Sequence, residues 1–154
     1  MDQDRGICHD RYGYLEFDRF VTRSCTMCYA FLFPKSLAWI PQRPNFEALK
    51  SYNNSIEYPV APDPRVADTV NLVCSLLTKD QCNRWLSCCT ASVECCRQQL
   101  RADRYNVLNV TMCERTWDGY SCWEDTPENT KATVRCPHFL EHSSSSRRYT
   151  VVHF

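Results

Sequence analysis

Twelve cysteines stand among the 154 residues of the chain, and no other side chain type here carries as much potential chemistry. Three are scattered through the first third, Cys8, Cys25 and Cys28, and the other nine fall between Cys74 and Cys136. Cysteine at about 8% points to metal sites or disulfides. A zinc site usually shows two C-x-x-C pairs, or one pair with spaced histidines. Only Cys25-x-x-Cys28 has that spacing, so the pattern is that of a disulfide framework in an oxidising compartment, with no metal or other cofactor expected. Two N-x-S/T sequons, at Asn53 and Asn109, are candidate glycosylation sites and agree with secretion. Nucleophilic or hydrolytic chemistry has no support. The sequence lacks G-x-S-x-G, H-E-x-x-H and a phosphate-cradling glycine loop, and its four histidines are scattered. No enzyme is expected.

Charge narrows the partners. The 18 Lys and Arg balance the 18 Asp and Glu. The balance is also local, with eight of each sign in residues 1–65. Nothing resembles the basic stripe that binds nucleic acid or an anionic membrane. The longest apolar run, Ser24 to Pro34, is far short of the roughly 20 residues that span a bilayer. A charged stretch precedes it, so it does not read as a secretory signal either.

The elements that must position the cysteines begin with a helix. Thr78-Lys-Asp-Gln81 has the form of a capping box. After it Cys82, Trp85, Leu86, Cys89, Val93, Cys96 and Leu100 recur at three- and four-residue steps, which predicts a helix from Lys79 to about Ala102. Downstream the period shortens to two, over Leu108 to Met112, Ala132 to Cys136 and Tyr149 to Phe154, which predicts strands. Asp118-Gly119 is a hairpin-turn dipeptide between Trp117 and Tyr120. Six of the eight prolines lie between Pro34 and Pro64, and residues 34–65 show no sustained period. The expectation is therefore an α+β fold. A small disulfide-rich domain over 66–154, with its helix packed on short antiparallel hairpins, follows a poorly ordered leader or linker over 1–65.

Residues 113–140 carry the most specific pattern: Cys113, then Trp117-Asp118-Gly119, Cys122-Trp123 and Cys136-Pro137, followed by Phe139 and Leu140. This stretch resembles the extracellular hormone-binding domain of class B (secretin-like) G-protein-coupled receptors, of the calcitonin-receptor or pigment-dispersing-factor-receptor type. The resemblance implies disulfides joining family cysteines one to three, two to five and four to six. Cys113, Cys122 and Cys136 stand at positions two, three and four. Cys96 is the first choice for position one, giving a Cys96–Cys122 bridge, with Cys95 as the alternative. The sequence ends at Phe154, where the fifth cysteine is expected, so Cys113 and Cys136 are left to stay free, to pair with the surplus cysteines, or to mispair. A glycine usual between cysteines three and four is replaced by Asn129 or a neighbour.

By the same resemblance Asp118 and Trp123 hold the core, and Pro137 fixes the chain leaving Cys136. Tyr120, Phe139, Leu140 and Trp117 line a groove for a helical peptide hormone or neuropeptide, with Trp85 on the helix as a candidate opposite wall. The implied function is a peptide-binding ectodomain, present as a fragment or truncated form, on the extracellular side of the plasma membrane. A G protein would be engaged only through a full-length receptor. The alternative is a secreted cysteine-rich decoy that binds peptide without signalling. Whether the transcript continues past Phe154 into hydrophobic segments separates the two.

Overall fold

The computed structural model describes residues 4–101, 112–140 and 148–152. The chain opens with a hairpin, β1 (Ile7–Asp10) against β2 (Gly13–Glu16), paired from Ile7–Glu16 to Asp10–Gly13. Helix α1 (Phe17–Leu32) follows directly. Its buried positions, Phe17, Phe20, Val21, Ser24, Cys25, Cys28, Tyr29 and Leu32, keep the three- and four-residue spacing of a single helical face, with buried Thr26 beside it. A second hairpin joins β3 (Trp39–Pro41) to β4 (Leu49–Ser51). Then come α2 (Ala67–Cys74) and the long helix α3 (Lys79–Gln99).

The capping box is present as expected. The Thr78 hydroxyl accepts from the Gln81 amide at 3.1 Å, and the Gln81 side chain accepts from the Thr78 amide at 3.0 Å. Helix α3 ends at Gln99, three residues before the predicted end.

The remaining strands are short: β5 (Met112–Cys113), β6 (Thr116–Trp117), β7 (Cys122–Trp123), β8 (Thr126–Pro127), β9 (Lys131–Arg135) and β10 (Arg148–Val152). Strand β6 pairs antiparallel with β7 and parallel with β1, which makes one sheet in the order β2-β1-β6-β7. Like β3 and β4, strands β5 and β8 form a two-stranded sheet, and so do β9 and β10, which matches the two-residue periods at Ala132 and Tyr149. Most of the strand predicted from Leu108 to Met112 lies outside the described residues.

Residues 4–65 correct the expectation of a poorly ordered leader. They supply half of the core: Cys8, Phe17, Phe20, Val21, Cys25, Cys28, Tyr29, Trp39, Leu49 and Val60 are all buried. The prolines there punctuate turns between short elements and do not prevent packing. The Trp39 indole donates to the Val73 carbonyl at 3.0 Å, and its amide donates to the Tyr29 hydroxyl, also at 3.0 Å. Arg65 ties this half together at the surface, meeting Asp63 and Asp18 at 2.8 Å and Asp4 at 3.2 Å.

Helix α1 lies against α3, and two disulfides fasten them, Cys25–Cys89 and Cys28–Cys88. A third, Cys8–Cys96, ties β1 to the end of α3, and Cys74–Cys82 joins α2 to its start. The fold is the α+β, disulfide-rich one expected, with α3 beside short antiparallel hairpins, and with α1, α2 and the bridges of the amino-terminal half added to it.

Candidate peptide-binding site

The Trp-Asp-Gly stretch is organised by one carboxylate. Asp118 accepts from the amides of Tyr120 and Ser121 at 2.8 and 2.7 Å through Oδ1, and from the Trp123 indole at 2.7 Å through Oδ2. The first two bonds shape the turn, and the third carries it across to the opposite strand, so that one side chain fixes both ends of the hairpin. The hairpin closes at Trp117–Cys122, so Asp118-Gly119 sits in a four-residue loop and not in a two-residue turn. Gly119 is required twice over. Its φ is 108°, and a Cβ there would come within 2.8 Å of the Phe31 ring.

The disulfide that anchors this hairpin is Cys95–Cys122. This corrects the choice of Cys96, which pairs with Cys8 instead. Neighbours in a helix point about 100° apart, and here one turns to the hairpin and the other to β1. Cys113 and Cys136 are half-buried free thiols, the first of the three outcomes left open for them. Asn129, in the loop before β9, holds φ at 60°, a left-handed conformation that asparagine tolerates better than most residues. That suits a position where the resemblance implies glycine.

Of the five residues expected to line a groove, three are deeply buried. Trp85 is fully buried, and its indole donates to the Cys25 carbonyl of α1 at 2.9 Å. The wall it was expected to form is therefore covered by α1. Trp117 and Phe139 are 2% and 3% exposed. The Phe139 carbonyl accepts from Arg84 Nε at 2.8 Å, so residues 137–140 are held against α3. Tyr120 and Leu140 remain half-exposed.

The Tyr120 ring packs on Phe31 of α1 at 5.5 Å between centroids. Burial, and then the Asp118 carboxylate, raise the Tyr120 phenol above its ordinary pKa. Pro137 is half-buried, and its carbonyl accepts from the Leu140 amide at 3.3 Å. Asn53 is exposed just beyond β4, with its side chain accepting from the Ser55 amide at 3.2 Å, whereas Asn109 lies outside the described residues.

The amino-terminal half also reaches this site, which sequence reasoning missed. Gln99 at the end of α3 brackets His9, accepting from its amide at 2.8 Å and donating to its carbonyl at 2.9 Å. His9 Nε2 and the Tyr14 hydroxyl both meet Glu114, at 3.2 and 3.0 Å. The signal available was the helical spacing from Phe17 to Leu32, hidden because Ser24 to Pro34 read as one short apolar run.

The sequence of this segment has its counterpart among known proteins. The family described as hormone receptor domain matches residues 110–153. The calcitonin receptor of Sus scrofa is 42% identical over 38 residues, which cover 25% of this chain and 8% of that protein. The calcitonin gene-related peptide type 1 receptor of Oncorhynchus gorbuscha is 30% identical over 63 residues, covering 41% and 13%. Its counterpart in Danio rerio is 35% identical over 52 residues, covering 34% and 11%. The chain spans roughly a tenth of the length of these relatives. No solved structure matches it. The carboxy-terminal part of the chain, residues 110–153, is thus similar to a hormone receptor domain and to receptors of the calcitonin type. The matched family is one of receptors and not of enzymes. Among the described residues, no helix is long and apolar enough to cross a membrane.

Proposed function

We propose that this chain is the peptide-binding ectodomain of a class B receptor, with residues 66–154 as its hormone receptor domain and residues 4–65 as a covering module built onto it. The observation that carries this is the Asp118-centred hairpin, with its three hydrogen bonds and the Cys95–Cys122 bridge, inside the segment that matches the hormone receptor family. Such a hairpin spends its carboxylate on rigidity and leaves the adjacent aromatic, Tyr120, half-exposed for contact. A rigid, partly exposed tyrosine is a good anchor for a peptide, because little side-chain freedom is lost on binding. The relatives are named for calcitonin and calcitonin gene-related peptide, and a helical peptide of that class is the ligand proposed here. A G protein would be reached through the membrane-spanning part of a complete receptor. Asn53, exposed and outside the packed surfaces, is the proposed glycan site.

The experiment is a titration of the oxidised chain with labelled calcitonin and calcitonin gene-related peptide. Binding by one of them, weakened about tenfold by Tyr120→Ala with little change in melting temperature, is the expected result. A Tyr120→Ala chain that binds as the wild type does would remove Tyr120 from the site.

A further inference from the structure

The face of α3 on which a peptide was expected is occupied by α1, so a peptide must find its surface elsewhere. The outer side of α1 offers one. A cleft of about 350 Å³ opens there, with Tyr12, Met27, Pro44 and Phe46 as its apolar walls. That volume is within the range of small-ligand and side-chain pockets. The charges that line it are neutralised in pairs. Arg23 donates twice to Asp10, at 2.7 and 3.0 Å, and Arg19 meets Glu47 at 2.9 Å.

Phe46 stands at φ 55°, a left-handed backbone that costs a bulky L residue energy and is found preferentially at binding sites. Its amide is held by the Gln42 carbonyl at 2.9 Å. Two exposed cations flank the walls on aromatic faces. Arg11 lies 5.3 Å from the Tyr12 ring centre, and Arg43 lies 6.0 Å from that of Phe46. Neither pairs with a carboxylate among the described residues.

The cleft lies beside the hormone receptor hairpin. Phe31 stands one turn beyond Met27 on α1 and is half-exposed, as Met27 is. Its ring packs on Tyr120, and Arg11 and Tyr12 are near enough to act electrostatically on the Tyr120 phenol. From Arg19 to Phe31 the helix rises about 18 Å, the length of a peptide helix of some three turns.

We propose that this strip, from Phe46 through Met27 and Phe31 to Tyr120, is the docking groove for an amphipathic helical peptide carrying a carboxylate. Apolar side chains of the peptide fill the cleft between Met27 and Phe46 and lie over Phe31 and Tyr120, while the carboxylate meets Arg11 or Arg43. The inference rests on the reading of the chain as a peptide-binding ectodomain. It moves the site from α3 to the outer face of α1, so that the amino-terminal module shares recognition with the hormone receptor domain.

The test uses the full oxidised chain with labelled calcitonin and calcitonin gene-related peptide as probes. Three variants are compared, each checked by melting temperature: Met27→Lys, the pair Arg11→Ala with Arg43→Ala, and Leu140→Ala. The proposal requires Met27→Lys to weaken binding by about tenfold or more. It also requires the arginine pair to weaken binding and flatten its salt dependence, and Leu140→Ala to stay within about twofold. A second measurement does not depend on any variant folding. A photoreactive group on the bound peptide should cross-link to residues 27–46 of the intact chain. Binding that ignores Met27→Lys but is lost in Leu140→Ala, or cross-links confined to residues 137–140, would overturn the outer-face groove and leave the peptide-binding reading standing. Failure of both peptides to bind the intact chain would overturn that reading and the groove with it.

Discussion

Asp118 shows how much one side chain can be asked to do in a small hairpin. It accepts from two backbone amides and one indole within its own loop and opposite strand. Removing it strands those donors, and hydrogen bonds to a charged group are the ones whose loss costs most. Asp118→Ala should lower stability by about 3 kcal/mol, read from urea denaturation midpoints. Trp123→Ala should cost about 2 kcal/mol more than Tyr120→Ala, because Trp123 is nearly buried while Tyr120 keeps an exposed side.

Tyr120 also predicts a pH dependence. Its folded pKa is raised above the ordinary value of about 10, so above that pH the unfolded chain loses the phenolic proton before the folded chain does. The stability it contributes is complete below about pH 10 and is lost as pH rises through the folded pKa. A Tyr120→Phe chain should lack that alkaline step in its melting-temperature profile. An unchanged profile would mean that Phe31 and Asp118 do not govern the phenol.

At the level of elements, the adjacent cysteines at the end of α3 give a sharp expectation. Cys95 holds Cys122 and Cys96 holds Cys8. Cys96→Ser should therefore free the thiol of Cys8, and Cys95→Ser that of Cys122, as read by alkylation and peptide mapping of the unreduced protein. The opposite assignment would restore the bridge first read from the sequence.

Much of α3 was legible, from its capping box to the apolar steps through Cys82, Trp85, Cys89 and Val93. So was the alternation that makes β9. What could not be read was which of two neighbouring cysteines faces which partner. A helix places them about 100° apart, and the direction of each depends on how the helix is rotated against elements far away in sequence. The groove residues failed for a related reason. Trp85 was placed on the right face of α3, but the element that covers that face ends some fifty residues earlier in the chain. Its own period was blurred by serine, threonine and cysteine, which bury readily when they are bridged or bonded to the preceding turn, as the Thr26 hydroxyl is to the Thr22 carbonyl at 2.8 Å.

Over the whole molecule, the two halves of the chain are one structure, and this can be tested by cutting them apart. Three disulfides cross from residues 4–65 to α3: Cys8–Cys96, Cys25–Cys89 and Cys28–Cys88. The sheet crosses as well, through Asp10 opposite Trp117. A chain beginning at Val66 would keep only Cys74–Cys82 and Cys95–Cys122 among the described bridges. It would expose Trp85 and Val93 along one side of α3, beside three thiols that had been buried and bonded. Each fully buried large apolar side chain stabilises by about 1.5–3 kcal/mol, and long-loop disulfides by a further 2–4 kcal/mol. The sum of these losses is comparable to the usual 5–15 kcal/mol stability of a domain. The shortened chain should therefore lose the near-ultraviolet circular dichroism of the full chain, bind a hydrophobic dye and scramble its thiols. If it instead melts cooperatively near the temperature of the full chain, the amino-terminal half is an appendage, and α3 with its hairpins is a self-sufficient domain.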